Sequence, residues 1–166
     1  MSELVAYKRT GAVAQVVMDD GKVNVMSSGM LRALLDAFER AEKDGAIVML
    51  TSGRPGIFSA GFDTKLLARR NPPEVYGMVK LGAELAARVL SFPNPVVAAC
   101  TGHAAETLQA VAESTAAALC AIDRGAHATT KERLRRGAVA AVRAAIDGEI
   151  TLDLYERHAL SAASSS

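Results

Sequence analysis

The chain has 166 residues, half of them hydrophobic and 22% charged, with a formal net charge of +1. That length suits one domain with a substantial core, and the apolar content excludes a disordered tail. The near-neutral balance gives no reason to expect nucleic acid or a membrane surface as partner.

Residues from Leu4 to Thr10 and from Ala12 to Met18, separated by Gly11, predict two strands of a hairpin or meander. Asp19-Asp20-Gly21-Lys22 supplies the next turn. Ser27 or Ser28 can cap a helix whose apolar residues Leu31, Leu34, Leu35, Phe38 and Ala41 recur at helical spacing, with Gly45 just past its end. The β-branched run from Ala46 to Thr51 predicts a buried strand, broken by Ser52-Gly53-Arg54-Pro55-Gly56. A tight turn at Gly61 and a helix capped by Asp63 follow. Asn71-Pro72 opens another helix, striped by Val75, Met78, Leu81, Leu85 and Val89. Phe92-Pro93-Asn94-Pro95 stops it, and residues from Val96 to Cys100 predict a second buried strand.

Beyond Ala104 the pattern is helical. Leu108, Val111, Thr115, Leu119 and Ile122 define one face, interrupted at Asp123-Arg124-Gly125. Thr129 with Glu132 carries a capping-box signature for the next helix. Its predicted face is Leu134, Ala138, Val142, Ala145 and Ile146, and Gly148 ends it. Thr151 to Leu160 predicts a last turn or short helix before a small, polar tail, residues 161–166.

Cys100 and Cys120 lack CxxC spacing and are expected as reduced, small apolar residues. His127 and His158 are isolated, so no metal site is expected. No signal-like apolar region or membrane-length run is present, so a cytoplasmic protein is expected.

Phe58-Ser59-Ala60-Gly61-Phe62-Asp63-Thr64-Lys65 resembles the enoyl-CoA hydratase/isomerase (crotonase) superfamily. Lys22-Val23-Asn24-Val25-Met26 and Pro95-Val96-Val97-Ala98-Ala99-Cys100-Thr101-Gly102-His103-Ala104 match further motifs in the family's order. The similarity runs to Ala104 and resumes from about Ala105 to Asp147; a large central block of a full-length member has no counterpart. The resemblance implies an α/β fold: an incomplete ββα spiral over residues 1–104, then a C-terminal helical part, residues 105–160, of the same domain.

It also implies enolate-forming chemistry on an acyl-CoA thioester, with the Phe62 backbone amide as one oxyanion donor. Lys22, Asn24, Ala60, Gly61, Asp63 and Lys65 fall at the family's substrate and CoA edge. No metal and no cofactor beyond the CoA thioester is implied, and relatives assemble as trimers or hexamers. Ala105-Glu106-Thr107-Leu108 stands where a glycine-rich turn should give the second donor. The family's catalytic carboxylates belong to the missing block. Glu106 and Glu113 are spaced as ordinary exposed helix residues. His103 is expected as a structural histidine, and Lys131, Arg133, Arg135 and Arg136 as a solvated basic face near a helix start. The competing reading is a non-catalytic remnant or oligomeric interaction protein.

Overall fold

The computed structural model describes residues 4–69, 71–100 and 105–163, with the side chains of all of these except 105–107, 158 and 161–163. Strands β1 (Val5–Thr10) and β2 (Val13–Met18) form the expected antiparallel hairpin, turned at Gly11, whose φ is +58°. Alternation along β2 buries Ala14, Val16 and Met18 on one face.

A short strand β3 (Val25–Met26) leads into helix α1 (Ser28–Lys43). Ser27 is the cap: its hydroxyl oxygen accepts the Met30 amide at 3.2 Å. At the other end Gly45 takes φ +59°, the Gly45 amide donates to Glu42 O and the Ala46 amide to Ala41 O, both at 2.9 Å. That pair is a Schellman motif, which needs a residue comfortable at positive φ. Met30, Leu31, Leu34 and Phe38 are fully buried along α1. Each such side chain stabilises the fold by about 1.5–3 kcal/mol through lost apolar exposure.

Strand β4 (Ile47–Ser52) runs parallel to β2, from Val13↔Ile47 to Met18↔Ser52. Beyond it lie strand β5 (Gly61–Phe62), helix α2 (Thr64–Ala68), helix α3 (Pro72–Ser91) and strand β6 (Val96–Ala98). The main sheet has the order β1-β2-β4-β6, and β3 pairs with β5 in a separate two-stranded parallel ribbon. One face of the main sheet, with Val16, Met18 and Val48, packs with Leu34 and Phe38 of α1 and with Phe92. Phe38 and Phe92 meet edge to face with ring centroids 5.3 Å apart, which ties the end of α3 to α1.

The C-terminal part comprises helices α4 (Ala105–Leu119), α5 (Arg124–Gly148) and α6 (Leu152–Ala163). α4 covers the other face of the sheet, and α5 and α6 pack on α3. Tyr76 of α3 and Tyr155 of α6 have ring centroids 6.2 Å apart.

Four sequence expectations are corrected. β6 is three residues long with Val96 and Val97 half-buried and Ala98 exposed, because it is an edge strand with no neighbour on its outer side among the described residues. On α4 the buried residues are Ala112 and Ala116, with Leu108 packed beside them, whereas Val111 is 59% exposed and Thr115 is also exposed. Small alanines let this helix lie close to Met49 and Ala99 of the sheet side. α5 starts at Arg124, capped by Asp123, whose carboxylate accepts the Ala126 amide at 2.9 Å. Thr129 and Glu132 therefore sit inside the helix, and the basic cluster lies mid-helix. Leu134, predicted to be buried on this helix, is 80% exposed, and Ala138 is exposed as well; Ile146 is buried. Asn71 holds the α3 cap position without a side-chain bond, while Pro72 opens the first turn as predicted.

Among the described residues no helix is long and apolar enough to cross a membrane.

Candidate functional site

The site is organised by a turn that spends its polar groups on itself. The Asp20 carboxylate accepts the amides of Lys22 at 2.7 Å, Asn24 at 2.9 Å and Val25 at 3.0 Å. Burial works against the charged form, but these amides and the nearby Arg54 charge outweigh it and hold Asp20 below the usual carboxylate range. Asp19, bonded to Arg54 at 2.6 Å, is lowered chiefly by that bond.

Asn24 is fully buried and sits at φ +53°, a conformation Asn tolerates better than most side chains. Its Nδ2 donates to Met18 O, Ser52 Oγ and Phe58 O at 3.2, 2.8 and 3.1 Å, and its Oδ1 accepts the Asp20 amide at 3.0 Å. The side chain was expected at the substrate edge. The structure instead makes it a fully buried strut between the turn and the loop after β4.

That segment is joined to the second motif. The Ala60 amide donates to Val23 O at 3.0 Å and the Ser59 hydroxyl to Asn24 O at 2.7 Å. Val25 pairs with Gly61 and Met26 with Phe62. Gly61 turns the chain at φ +81°, and its amide donates to Ser59 Oγ at 3.1 Å. Asp63 caps α2 as expected, accepting the amides of Lys65 at 3.0 Å and Leu66 at 3.2 Å. Phe62 is the last residue of β5, one place before the cap of a helix only five residues long. Lys22, Ala60, Gly61, Phe62 and Lys65 are all exposed on these two joined segments.

The Phe62 ring lies over Gly82 of α3: a Cβ at position 82 would come within 2.5 Å of Phe62 Cζ. Sequence reading missed Gly82, which looks like any mid-helix glycine until the ring above it is seen. Beside the ring opens a cavity of about 580 Å³, lined by Met26, Leu31, Phe62, Leu85, Val89 and Arg135 among others, with no carboxylate among its described lining residues. Sequence reading assigned none of the α3 residues to a site.

The basic cluster of α5 does more than meet solvent. Lys131 donates to Asn94 O at 3.2 Å and Arg135 to Leu90 O at 3.3 Å, bonding to the end of α3 and the loop after it. Burial, aided by the Arg135 charge, pushes the Lys131 amine down to about 8. Arg136 pairs with Glu132 one turn away, and Arg133 is exposed. Glu113 accepts a bond from Gln109 on the exposed surface of α4. Residues Gly102, His103 and Ala104 and the Glu106 side chain lie outside the described residues. Among the described residues no group of three or more His, Cys, Asp or Glu could hold a metal ion.

The mixed α/β core followed by C-terminal helices matches the fold of crotonase structures. The family model for enoyl-CoA hydratase/isomerase matches residues 8–122, and the chain belongs to that family. Human mitochondrial enoyl-CoA delta isomerase 1 is 35% identical over 92 residues, which are 54% of this chain and 30% of that protein. The chain spans about a third of the length of the curated relatives it matches. The crystal structure of an enoyl-CoA hydratase/isomerase family protein from Pseudomonas syringae superposes with a TM-score of 0.82 at 26% identity, covering 89% of this chain and 96% of that one. The apo structure of an enoyl-CoA isomerase from Mycobacterium tuberculosis gives 0.79 at 27% identity, covering 89% and 98%. Superposition over 89% of the chain takes in helical residues beyond the sequence match, which ends at 122.

Proposed function

We propose that this chain binds acyl-CoA thioesters and turns them over slowly. In this reading the Phe62 amide donates to the thioester carbonyl oxygen, and Ala60, Gly61 and Asp63 hold that amide in place. Lys22 and Lys65 meet the CoA phosphates as point charges. The acyl group enters the apolar cavity beside the Phe62 ring. The observation that carries the proposal is the joining of two separate motifs, Lys22–Met26 and Phe58–Lys65, next to an apolar cavity of about 580 Å³. The same cavity has no described carboxylate to move a proton, and the segment after Ala104 lacks the glycine-rich sequence of a second donor. Losing one oxyanion donor alone costs about a hundredfold to a thousandfold in rate. Binding is therefore favoured over fast catalysis.

Calorimetry with crotonyl-CoA and CoA, paired with a hydration assay, tests this. Crotonyl-CoA should bind more tightly than CoA, with hydration far below ordinary enzyme rates. Lys65→Ala should weaken both ligands by about 1 kcal/mol or less, as for an exposed ion pair. Gly61→Val has open space around its new Cβ, so its effect is conformational: φ +81° is denied to a β-branched residue, and the Phe62 amide moves. It should weaken crotonyl-CoA more than CoA. Absence of binding by either ligand would overturn the proposal, and hydration at ordinary enzyme rates would overturn its slow-turnover half.

A further inference from the structure

We infer that the acyl group received by this cavity ends in a carboxylate, held by Arg135; the inference rests on the acyl-CoA reading above. The described lining of the Phe62 cavity is apolar except for Arg135, the one charged residue that reaches it. Methylene groups suit such a wall, and a guanidinium at its margin suits a planar anion that it can grip with two parallel N–H bonds.

Arg135 has capacity to spare. Its bond to Leu90 O, at 3.3 Å, uses one of five N–H donors. Among the described residues it makes no ion pair, whereas Arg9, Arg54, Arg88, Arg136 and Arg157 each face a carboxylate. The positive charge in this corner is reinforced by its neighbours. Arg135 also borders a cavity of about 520 Å³ with Lys131 and Arg143, and another of about 860 Å³ with Lys131. Glu42 and Glu132 line the first of these, but Glu42 pairs with Arg88 and Glu132 with Arg136. Asp123 lines the second, and its carboxylate accepts the Ala126 amide.

A plainer role exists for Arg135: Leu90 lies in the last turn of α3, where carbonyls lack helical partners and a cation is favourable. Such a cap would change stability without changing which acyl group is preferred. A contact to the CoA phosphates would weaken every CoA ligand alike. Only a grip on the acyl terminus separates ligands of equal length.

Calorimetry on the full chain with CoA, hexanoyl-CoA and adipoyl-CoA makes that separation. Wild type should prefer adipoyl-CoA to hexanoyl-CoA by about fivefold, the size of an exposed ion pair. Arg135→Met keeps the apolar stem and should erase the preference by weakening adipoyl-CoA more than hexanoyl-CoA; Arg135→Lys should keep part of it. Equal affinity of the two thioesters in wild type would overturn the inference. So would an Arg135→Met protein that keeps the preference but melts earlier, or one that binds all three ligands equally more weakly. If none of the three binds wild type, it is the acyl-CoA reading itself that fails.

Discussion

Replacing Asn24 with Ala tests whether this residue holds the site together. The substitution removes an acceptor from the Asp20 amide and donors from Met18 O, Ser52 Oγ and Phe58 O. The amide group has only two hydrogens, so three bonds' worth of pairing is lost, at about 1 kcal/mol each for buried partners. Alanine at φ +53° adds about 1 kcal/mol of backbone cost. The destabilisation should total about 4 kcal/mol, read as a lower urea midpoint in far-UV circular dichroism. Asn24→Gly, which relieves φ but not the lost bonds, should recover only the backbone part. The two motif segments should also come apart, so acyl-CoA affinity should fall further than the remaining folded fraction explains. An Asn24→Ala protein within about 1 kcal/mol of wild type would refute the strut assignment.

Gly82→Ala would push the Phe62 ring, whose residue is 40% exposed and free to swing outward, so thermal stability should change by less than about 1 kcal/mol while crotonyl-CoA affinity falls. Unchanged affinity would mean the ring does not shape the site. Lys131 has its pKa lowered to about 8 in the fold, so between that value and the ordinary lysine value the unfolded chain binds more protons and stability rises with pH. Lys131→Met should therefore be more stable than otherwise expected at pH 7, and wild type should gain on it up to about pH 10; parallel melting curves across that range would contradict the burial argument. Leu134, Leu160 and Val111 are 80%, 72% and 59% exposed on the three C-terminal helices, and each side chain would gain by burial in a contact between copies. Sedimentation at micromolar concentration should show concentration-dependent oligomers, and a clean monomer would refute this.

Much of the fold is legible in local signals. Ser27, Gly45, Gly61 and Asp63 each sit where capping and turn chemistry require them, because those requirements involve only a few neighbouring residues. The hairpin and β4 follow from alternation and from a buried β-branched run. What was not legible depends on partners distant in sequence. Ala112 and Ala116 are chosen over Val111 and Thr115 by how closely α4 approaches the sheet, which periodicity cannot weigh. Thr129 carries the capping-box signature, yet α5 starts at Arg124, whose guanidinium donates to Gly45 O far away in sequence. Gly82 gains its meaning from the Phe62 ring and Arg135 from the cavity margin, neither of which has a local pattern. Asn24 was singled out by motif, yet its four bonds into the protein were not visible in spacing.

The central claim is that the Phe62 amide polarises a bound thioester, and infrared spectroscopy of crotonyl-CoA labelled with ¹³C at its carbonyl tests it most directly. A hydrogen-bonded carbonyl in this site should absorb at lower frequency than free crotonyl-CoA, and Gly61→Val should return the band towards its free position. An identical band for free and saturably bound ligand would contradict the claim.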